Sequence, residues 1–143
     1  RRLLASLGED AVEALRVDAD GHAGIGIISA YAAQRDQLKA RLTGGHRLTP
    51  DDIETGTIDA FQGKEFPLVL LSTVRSNNEG RVGFLNLPHR INVALSRAQR
   101  QVVIIGDSST LAHDTRGSGP LKAVWKLLTS GAVPGRIVLS REV

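Results

Sequence analysis

The chain has 143 residues, 41% hydrophobic and 23% charged, with a formal net charge of +3, which suits one domain with a buried core and excludes a disordered tail. It has no cysteine, four scattered histidines and only 3% aromatic residues, so a disulfide framework and a cysteine-based zinc site are excluded and the core has to be aliphatic. No apolar run is long enough to span a bilayer and no signal peptide heads the chain, so no membrane partner is expected and the cytoplasm is the expected location.

In chain order, Leu4, Leu7, Val12 and Leu15 recur near helical spacing and predict a helix over Leu3–Val17, interrupted by Gly8. Asp18–Gly24 reads as a polar turn, Ile25–Ser29 as a short buried strand, and Tyr31–Leu42 as a helix rich in good helix formers. Thr43–Asp52 is a Gly, Pro and Asp loop. Two apolar runs with β-branched residues follow, Ile53–Ile58 and Leu68–Val74, with the polar Asp59–Glu65 between them; strand, loop, strand is the expectation. Arg75–Asn86 is a second polar loop. Leu87–Ala98 is a predicted helix with Pro88 near its start, where a missing N–H costs nothing. Gln101–Gly106 reads as a strand, Ser108–Ala112 as one helical turn and His113–Gly119 as a loop. Leu121–Leu128 reads as an amphipathic helix centred on Trp125, and Ile137–Leu139 as a short last strand. Strands that alternate with helices and are near-continuous apolar runs predict an α/β domain, 1–143, with a mostly parallel sheet covered by helices on both faces. The start at Arg1-Arg2 and the lack of Met read as those of a piece of a longer protein.

Two phosphate-binding patterns fail on inspection. Gly24–Ser29 has two glycines of a dinucleotide fingerprint, but they precede the strand instead of following it, and Ser29 replaces the third. Gly63-Lys64 has Ile58 where a P-loop needs its first glycine and Glu65 where a hydroxyl should meet magnesium. Three other segments are expected at the sheet edge where open α/β folds bind ligands: IISAYAAQRDQL (Ile27–Leu38), TIDAFQGKE with VRSNN after its strand (Thr57–Asn78), and HRINVALSRAQ (His89–Gln99).

Together, in this order, these segments resemble motifs IV, V and VI of the C-terminal RecA-like domain of superfamily 1 helicases. The subgroup is that of the nonsense-mediated-decay RNA helicase and its DNA-processing relatives, and the resemblance covers roughly residues 20–112. It implies a RecA-like fold without its own P-loop, forming one wall of an ATP cleft. The other wall is then the N-terminal RecA-like domain of the same chain, which carries the P-loop and holds the magnesium ion, so ATP and Mg2+ are the implied cofactors. Arg97 matches the motif VI arginine that reaches the γ-phosphate; a planar guanidinium offsets charge developing in phosphoryl transfer. A plain role for it is a cation at a helix C-terminus. Glu65 matches the motif V glutamate that binds the nucleotide ribose, against the plain role of a solvated loop acid. Gly63 lets backbone approach a phosphate or simply makes a turn. Gln62 joins the nucleotide contacts, while Asp59 fixes the loop through local N–H groups.

The same resemblance implies a path for single-stranded DNA or RNA, met mainly through phosphates. Thr57 matches a motif V hydroxyl on that path, Ser29 and Tyr31 lie in motif IV, and Arg75, Ser76 and Asn77 follow the second central strand. Turn-capping is the plain role for each. Arg35, Arg81, Arg90 and Arg100 read as solvated charge, and Trp125 as core. The sequence departs from the family at Gln99, where a second basic residue is usual; Arg100 stands next to it. The expected function is therefore the C-terminal half of an ATP-dependent helicase or translocase, the chain alone being unable to hydrolyse ATP for want of a P-loop. The alternative is a non-catalytic, helicase-derived module that binds nucleic acid or protein.

Overall fold

The computed structural model describes residues 9–42, 48–112 and 119–134. The described chain runs α1 (Glu9–Glu13), β1 (Ile25–Ser29), α2 (Ala32–Leu42), β2 (Ile53–Thr57), β3 (Phe66–Ser72), α3 (Pro88–Ser96), β4 (Ala98–Ile105), α4 (Ser108–Ala112) and α5 (Pro120–Ser130). Short 3-10 turns stand at Pro50–Asp52, Asp59–Phe61 and Gly83–Asn86. The predicted strand at Ile137–Leu139, the start of the first helix and most of the loop after Ala112 lie outside the described residues. Two compact units emerge: Arg1–Val74 with Asn92–Gly106, and Arg75–Ile91 with Asp107–Val143.

The first unit is built on a four-stranded sheet of order β2-β1-β3-β4, every described pairing parallel. This is the α/β class expected from the alternating pattern, and it agrees with the RecA-like fold that the resemblance implied. The central position of β1 explains its sequence: all five of its residues are buried, as a strand covered on both faces requires. On one face Ile25, Ile27, Leu68 and Leu70 join Val12, Leu15 and Leu48 in a single cluster, against which Leu38 and Leu42 of α2 pack. Strand β4 is different. It begins at Ala98, three residues earlier than its apolar pattern suggests, and Gln99, Arg100 and Gln101 are exposed along it. Among the described residues its paired neighbour is β3, and the exposed polar residues lie at the start of that pairing.

The step from β2 to β3 shapes the unit. These strands are parallel but separated by β1, so the chain must return from the C-terminal edge of the sheet to its N-terminal edge. Five residues of strand rise about 17 Å and two strand spacings are about 10 Å, a return of about 20 Å. The connection Ile58–Glu65 has eight residues to make it. Wound as a helix they would cover about 12 Å; extended they reach about 27 Å. A single 3-10 turn in an otherwise open crossover is what fits. Phe61 and Phe66, at 0% and 2% exposure, pin it. Their rings meet edge to face, centroids 4.9 Å apart at 82°. They stand over Gly26 and Gly56, which share a sheet face; a Cβ at Gly26 would lie 2.6 Å from the Phe66 ring and one at Gly56 2.7 Å from the Phe61 ring.

A buried carboxylate ties the start of this unit to its sheet. Asp52, 1% exposed, accepts the Val17 N–H at 2.7 Å on Oδ1, and the Thr49 N–H at 2.7 Å and hydroxyl at 2.9 Å on Oδ2. Burial pushes its carboxyl up, but these hydrogen bonds outweigh burial and hold it below its ordinary value of 3.8.

In the second unit, α5 packs against α4 and against the 3-10 turn at Gly83–Asn86. Val82, Leu85, Leu111 and Leu121 are buried there, and Trp125 is half-buried. Arg90 is not the solvated charge its sequence suggests: it is half-buried, with its guanidinium 5.4 Å from the Phe84 ring centroid. Among the described residues no helix is long and apolar enough to cross a membrane.

Two outcomes follow for urea unfolding. Gly56→Ala is expected to destabilise by about 1–3 kcal/mol, the usual cost of overpacking, and a midpoint unchanged from the native chain would show that Phe61 is not pinned there. Because the folded pKa of Asp52 lies below its unfolded value, its contribution is complete above about pH 4 and disappears as pH falls through the folded value. The native chain should thus lose stability on acidification more steeply than Asp52→Asn; parallel acid limbs would contradict the assignment.

Candidate functional site

The candidate residues of the first unit fall on two opposite edges of its sheet, not on the one edge expected from the sequence. Ser29 and Thr57 end β1 and β2, and Tyr31 follows Ser29, so these lie at the C-terminal edge. Gln62, Gly63 and Glu65 have passed through the crossover and immediately precede β3, and Arg97 immediately precedes β4, so these lie at the N-terminal edge. The reason is topological: a connection between parallel strands always changes edge, and only the strand order reveals it.

At the N-terminal edge the crossover and the end of α3 are joined through Arg97. Its Nη1 donates to the Lys64 carbonyl at 3.0 Å, its Nε to the Val93 carbonyl at 3.1 Å, and its Nη2 to the Ser96 hydroxyl at 3.0 Å. Its own carbonyl accepts the Phe66 N–H at 2.8 Å. Arg97 therefore brackets Glu65 on both sides, at Lys64 and at Phe66. It also satisfies a carbonyl in the last turn of α3, a favoured place for a cation. Three of the five guanidinium N–H donors are used in this arrangement.

Gln62, Gly63 and Glu65 are exposed. Gly63 has φ +83° with open space where a Cβ would stand, so glycine is required here by the turn and not by crowding. Lys64 pairs with Glu54 at 2.5 Å. Glu65 opens onto a groove of about 950 Å³ along the N-terminal edge, whose lining includes Gly24, Lys64, Asp18, His22 and Gln99. Asp18, Asp20 and His22 form a cluster of metal-binding residue types among the described residues. The cluster is exposed, and Asp18 is already committed to the N–H groups of Asp20 and His22 and to the His22 ring. Hydrogen bonds from the His22 backbone hold the Asp18 carboxyl below its ordinary value.

At the C-terminal edge Ser29 is fully buried. Its hydroxyl accepts the Tyr31 N–H and donates to the Tyr31 carbonyl, each at 3.2 Å, the geometry of a local turn that leads into α2. Tyr31 and Thr57 are half-buried.

Arg75, Ser76 and Asn77 belong to the second unit. Arg75 is exposed. Ser76 donates its hydroxyl to Asp107 Oδ2 at 2.7 Å. Asn77 folds its side chain onto the following turn, with Oδ1 accepting the N–H groups of Glu79 and Arg81 and Nδ2 donating to the Arg81 carbonyl. Asp107 was not among the sequence candidates. The run Asp107-Ser-Ser-Thr110 before Leu111 does carry a helix N-cap signature, but nothing local betrays a partner 31 residues earlier.

A family profile described as AAA domain matches residues 3–109. The DNA polymerase alpha-associated DNA helicase A of Saccharomyces cerevisiae is 46% identical over 87 residues, 61% of this chain and 12% of the relative. The mouse DNA-binding protein SMUBP-2 is 46% identical over 96 residues, 66% of this chain and 9% of the relative. The Drosophila melanogaster regulator of nonsense transcripts 1 homolog is 42% identical over 91 residues, 62% of this chain and 8% of the relative. The chain thus spans about a tenth of the length of these relatives.

The three hydrogen bonds donated by Arg97 predict a structural role in addition to any chemistry. Arg97→Lys keeps the charge but cannot span three acceptors, and should cost about 1–2 kcal/mol in urea unfolding. A change of only a few tenths would mean the guanidinium does not hold the loop.

Proposed function

The chain belongs to the AAA-domain family as a superfamily 1 helicase domain of the nonsense-transcript-regulator group, and from that premise we propose that it is the C-terminal half of an ATP-dependent helicase or translocase on single-stranded DNA or RNA. The observation that carries this reading is the joining of Arg97 and Glu65 through one loop at one sheet edge. An arginine and a carboxylate so linked can meet the two ends of one nucleotide.

In this mechanism an N-terminal RecA-like domain of the same protein supplies the P-loop and holds Mg2+. The magnesium is assigned there because the cluster at Asp18, Asp20 and His22 is exposed and its Asp18 is internally bonded. Mg2+ when bound neutralises phosphate charge. Glu65 accepts hydrogen bonds from the ribose hydroxyls within the groove, where carboxylates outnumber cations and the triphosphate is disfavoured. Gln62 and Gly63 border the same nucleotide. Arg97 meets the γ-phosphate by exchanging the Lys64 carbonyl for phosphate oxygens, a charge-assisted bond for a neutral acceptor. Closure of the cleft then assembles the finger, and hydrolysis reopens it. Residues 1–143 act as one RecA-like domain in this cycle, and without a P-loop the chain alone does not turn over ATP.

Single-stranded nucleic acid is assigned to Tyr31, Thr57 and Arg75. The hydroxyl of Ser29 holds the turn at Tyr31, and the side chains of Ser76 and Asn77 hold the turn that follows Arg75, so each of these residues shapes the backbone in its own unit.

ATP turnover by the full-length protein tests the reading. The native protein should be stimulated by single-stranded nucleic acid. Arg97→Ala should still bind ATP while its turnover falls about a thousandfold. Glu65→Ala should raise KM for ATP about tenfold or more, the worth of a hydrogen bond to a charged group. Full turnover by Arg97→Ala would remove the finger assignment, and a native protein without ATP turnover would favour the non-catalytic module instead.

A further inference from the structure

Asp107 stands at the centre of a hydrogen-bond network that the nucleotide chemistry does not use. Its Oδ1 accepts the Ser109 N–H at 2.9 Å and the Ser109 hydroxyl at 2.7 Å. Its Oδ2 accepts the Ser76 hydroxyl at 2.7 Å and the Thr110 hydroxyl at 2.9 Å. Thr110 is fully buried. Its oxygen accepts the Asn77 N–H at 2.8 Å, and its one hydroxyl hydrogen is shared between Asp107 and the Asn77 carbonyl, 2.9 Å away. Asn77 in turn closes the turn through Arg81. The segment Ser76–Arg81 is therefore fastened at its root to the first turn of α4, and its polar side chains at Ser76 and Asn77 are consumed in the fastening.

A helix cap alone does not account for this. Capping needs one acceptor oxygen and is served as well by Asn or Ser as by Asp. Here the second oxygen is spent on Ser76, from 31 residues earlier in the chain. An acid is also a poor neighbour for phosphate, so an Asp beside a phosphate-binding segment needs a reason to be there. These hydrogen bonds, Ser109 first and then Ser76 and Thr110, hold the Asp107 carboxyl well below the usual carboxylate range, so it stays ionised and internally committed. Arg75 adjoins Ser76 at the root of this segment and is exposed.

We infer that Asp107 is a positioning residue for nucleic-acid binding: through Ser76 and Thr110 it fixes the segment that begins at Arg75, so that the Arg75 guanidinium meets a backbone phosphate of the bound single strand in one register. The inference rests on the helicase reading and deepens it. Asp107 itself touches no nucleic acid. Its two oxygens divide the work, Oδ1 for the helix cap and Oδ2 for the tie to Ser76.

That division supplies the test. Asp107→Asn keeps one acceptor for the cap and puts an NH2 group in place of the second, which takes no hydrogen bond from Ser76 or Thr110 and leaves at most a reversed, neutral contact to the Ser76 hydroxyl. Ser76→Ala removes the tie from the other end and leaves the cap untouched, so it stays informative should Asp107→Asn fold poorly. Binding of a labelled single-stranded oligonucleotide to the full-length protein would be followed by fluorescence anisotropy over a range of salt. Arg75→Ala should weaken binding about tenfold and lower the salt slope by about one, as loss of one phosphate contact requires. Asp107→Asn and Ser76→Ala should each weaken binding about fivefold, and should have almost no effect once Arg75 is already Ala, because residues that act through one contact are not additive. Native-like binding by both Asp107→Asn and Ser76→Ala overturns the inference. So does an equal loss in the Arg75→Ala background, or native-like binding by Arg75→Ala, and in each of these cases the helicase reading stands. Failure of the native protein to bind any single strand would instead overturn the helicase reading, and the inference with it.

Discussion

The crossover between β2 and β3 is the constraint on which the rest of the first unit depends. Eight residues have to carry the chain back across β1, and that distance leaves no length for a helix. The solution is an open connection held by two buried phenylalanines, and it works only because Gly26 and Gly56 leave room for the rings. Everything chemical about the loop follows. Phe61 and Phe66 are inside, so the residues between them, Gln62 to Glu65, are forced out at the opposite sheet edge. A site built this way is rigid at both ends and exposed in the middle, which is how a loop can be both precise and accessible.

Arg97 then closes the arrangement. Its backbone carbonyl begins the β3–β4 ladder with Phe66, while its side chain takes the carbonyl of Lys64. The same residue that aligns the strands also holds the loop carrying Glu65. In the proposed cycle, drawing the guanidinium toward a phosphate withdraws it from Lys64, so nucleotide occupancy and loop restraint are linked through one side chain. This is a local exchange of acceptors with a global consequence, the common form of a nucleotide switch.

Much of this was legible in the sequence where the environment is extreme. Strand β1 could be placed at Ile25–Ser29 because a fully buried strand is a continuous apolar run. Pro88 marked a helix start through backbone chemistry that is local. Legibility failed where the cause is non-local. Phe66-Pro67 begins β3 two residues before Leu68, across a register shift at the proline; only the Arg97 carbonyl opposite explains it. Gln99 to Gln101 lie in β4 because β3 pairs with that stretch from Phe66 onward, which no window of sequence shows. Arg90 looks solvated in the sequence because its ring partner, Phe84, is brought to it by the turn between them. The candidate site was legible as a set of residue types in order, but its division between two edges depends on strand order, and the tie from Ser76 to Asp107 spans 31 residues.

The central claim is that nucleotide and nucleic acid meet opposite edges of one sheet. Hydrogen exchange in the full-length protein addresses it most directly, with a non-hydrolysable ATP analogue and a single-stranded oligonucleotide added separately. The account predicts that the analogue slows exchange at the backbone amides of Gln62 to Phe66, while the oligonucleotide slows it at Tyr31 and Thr57. Protection of Tyr31 and Thr57 by the nucleotide analogue, with Gln62 to Phe66 left unchanged, would contradict it.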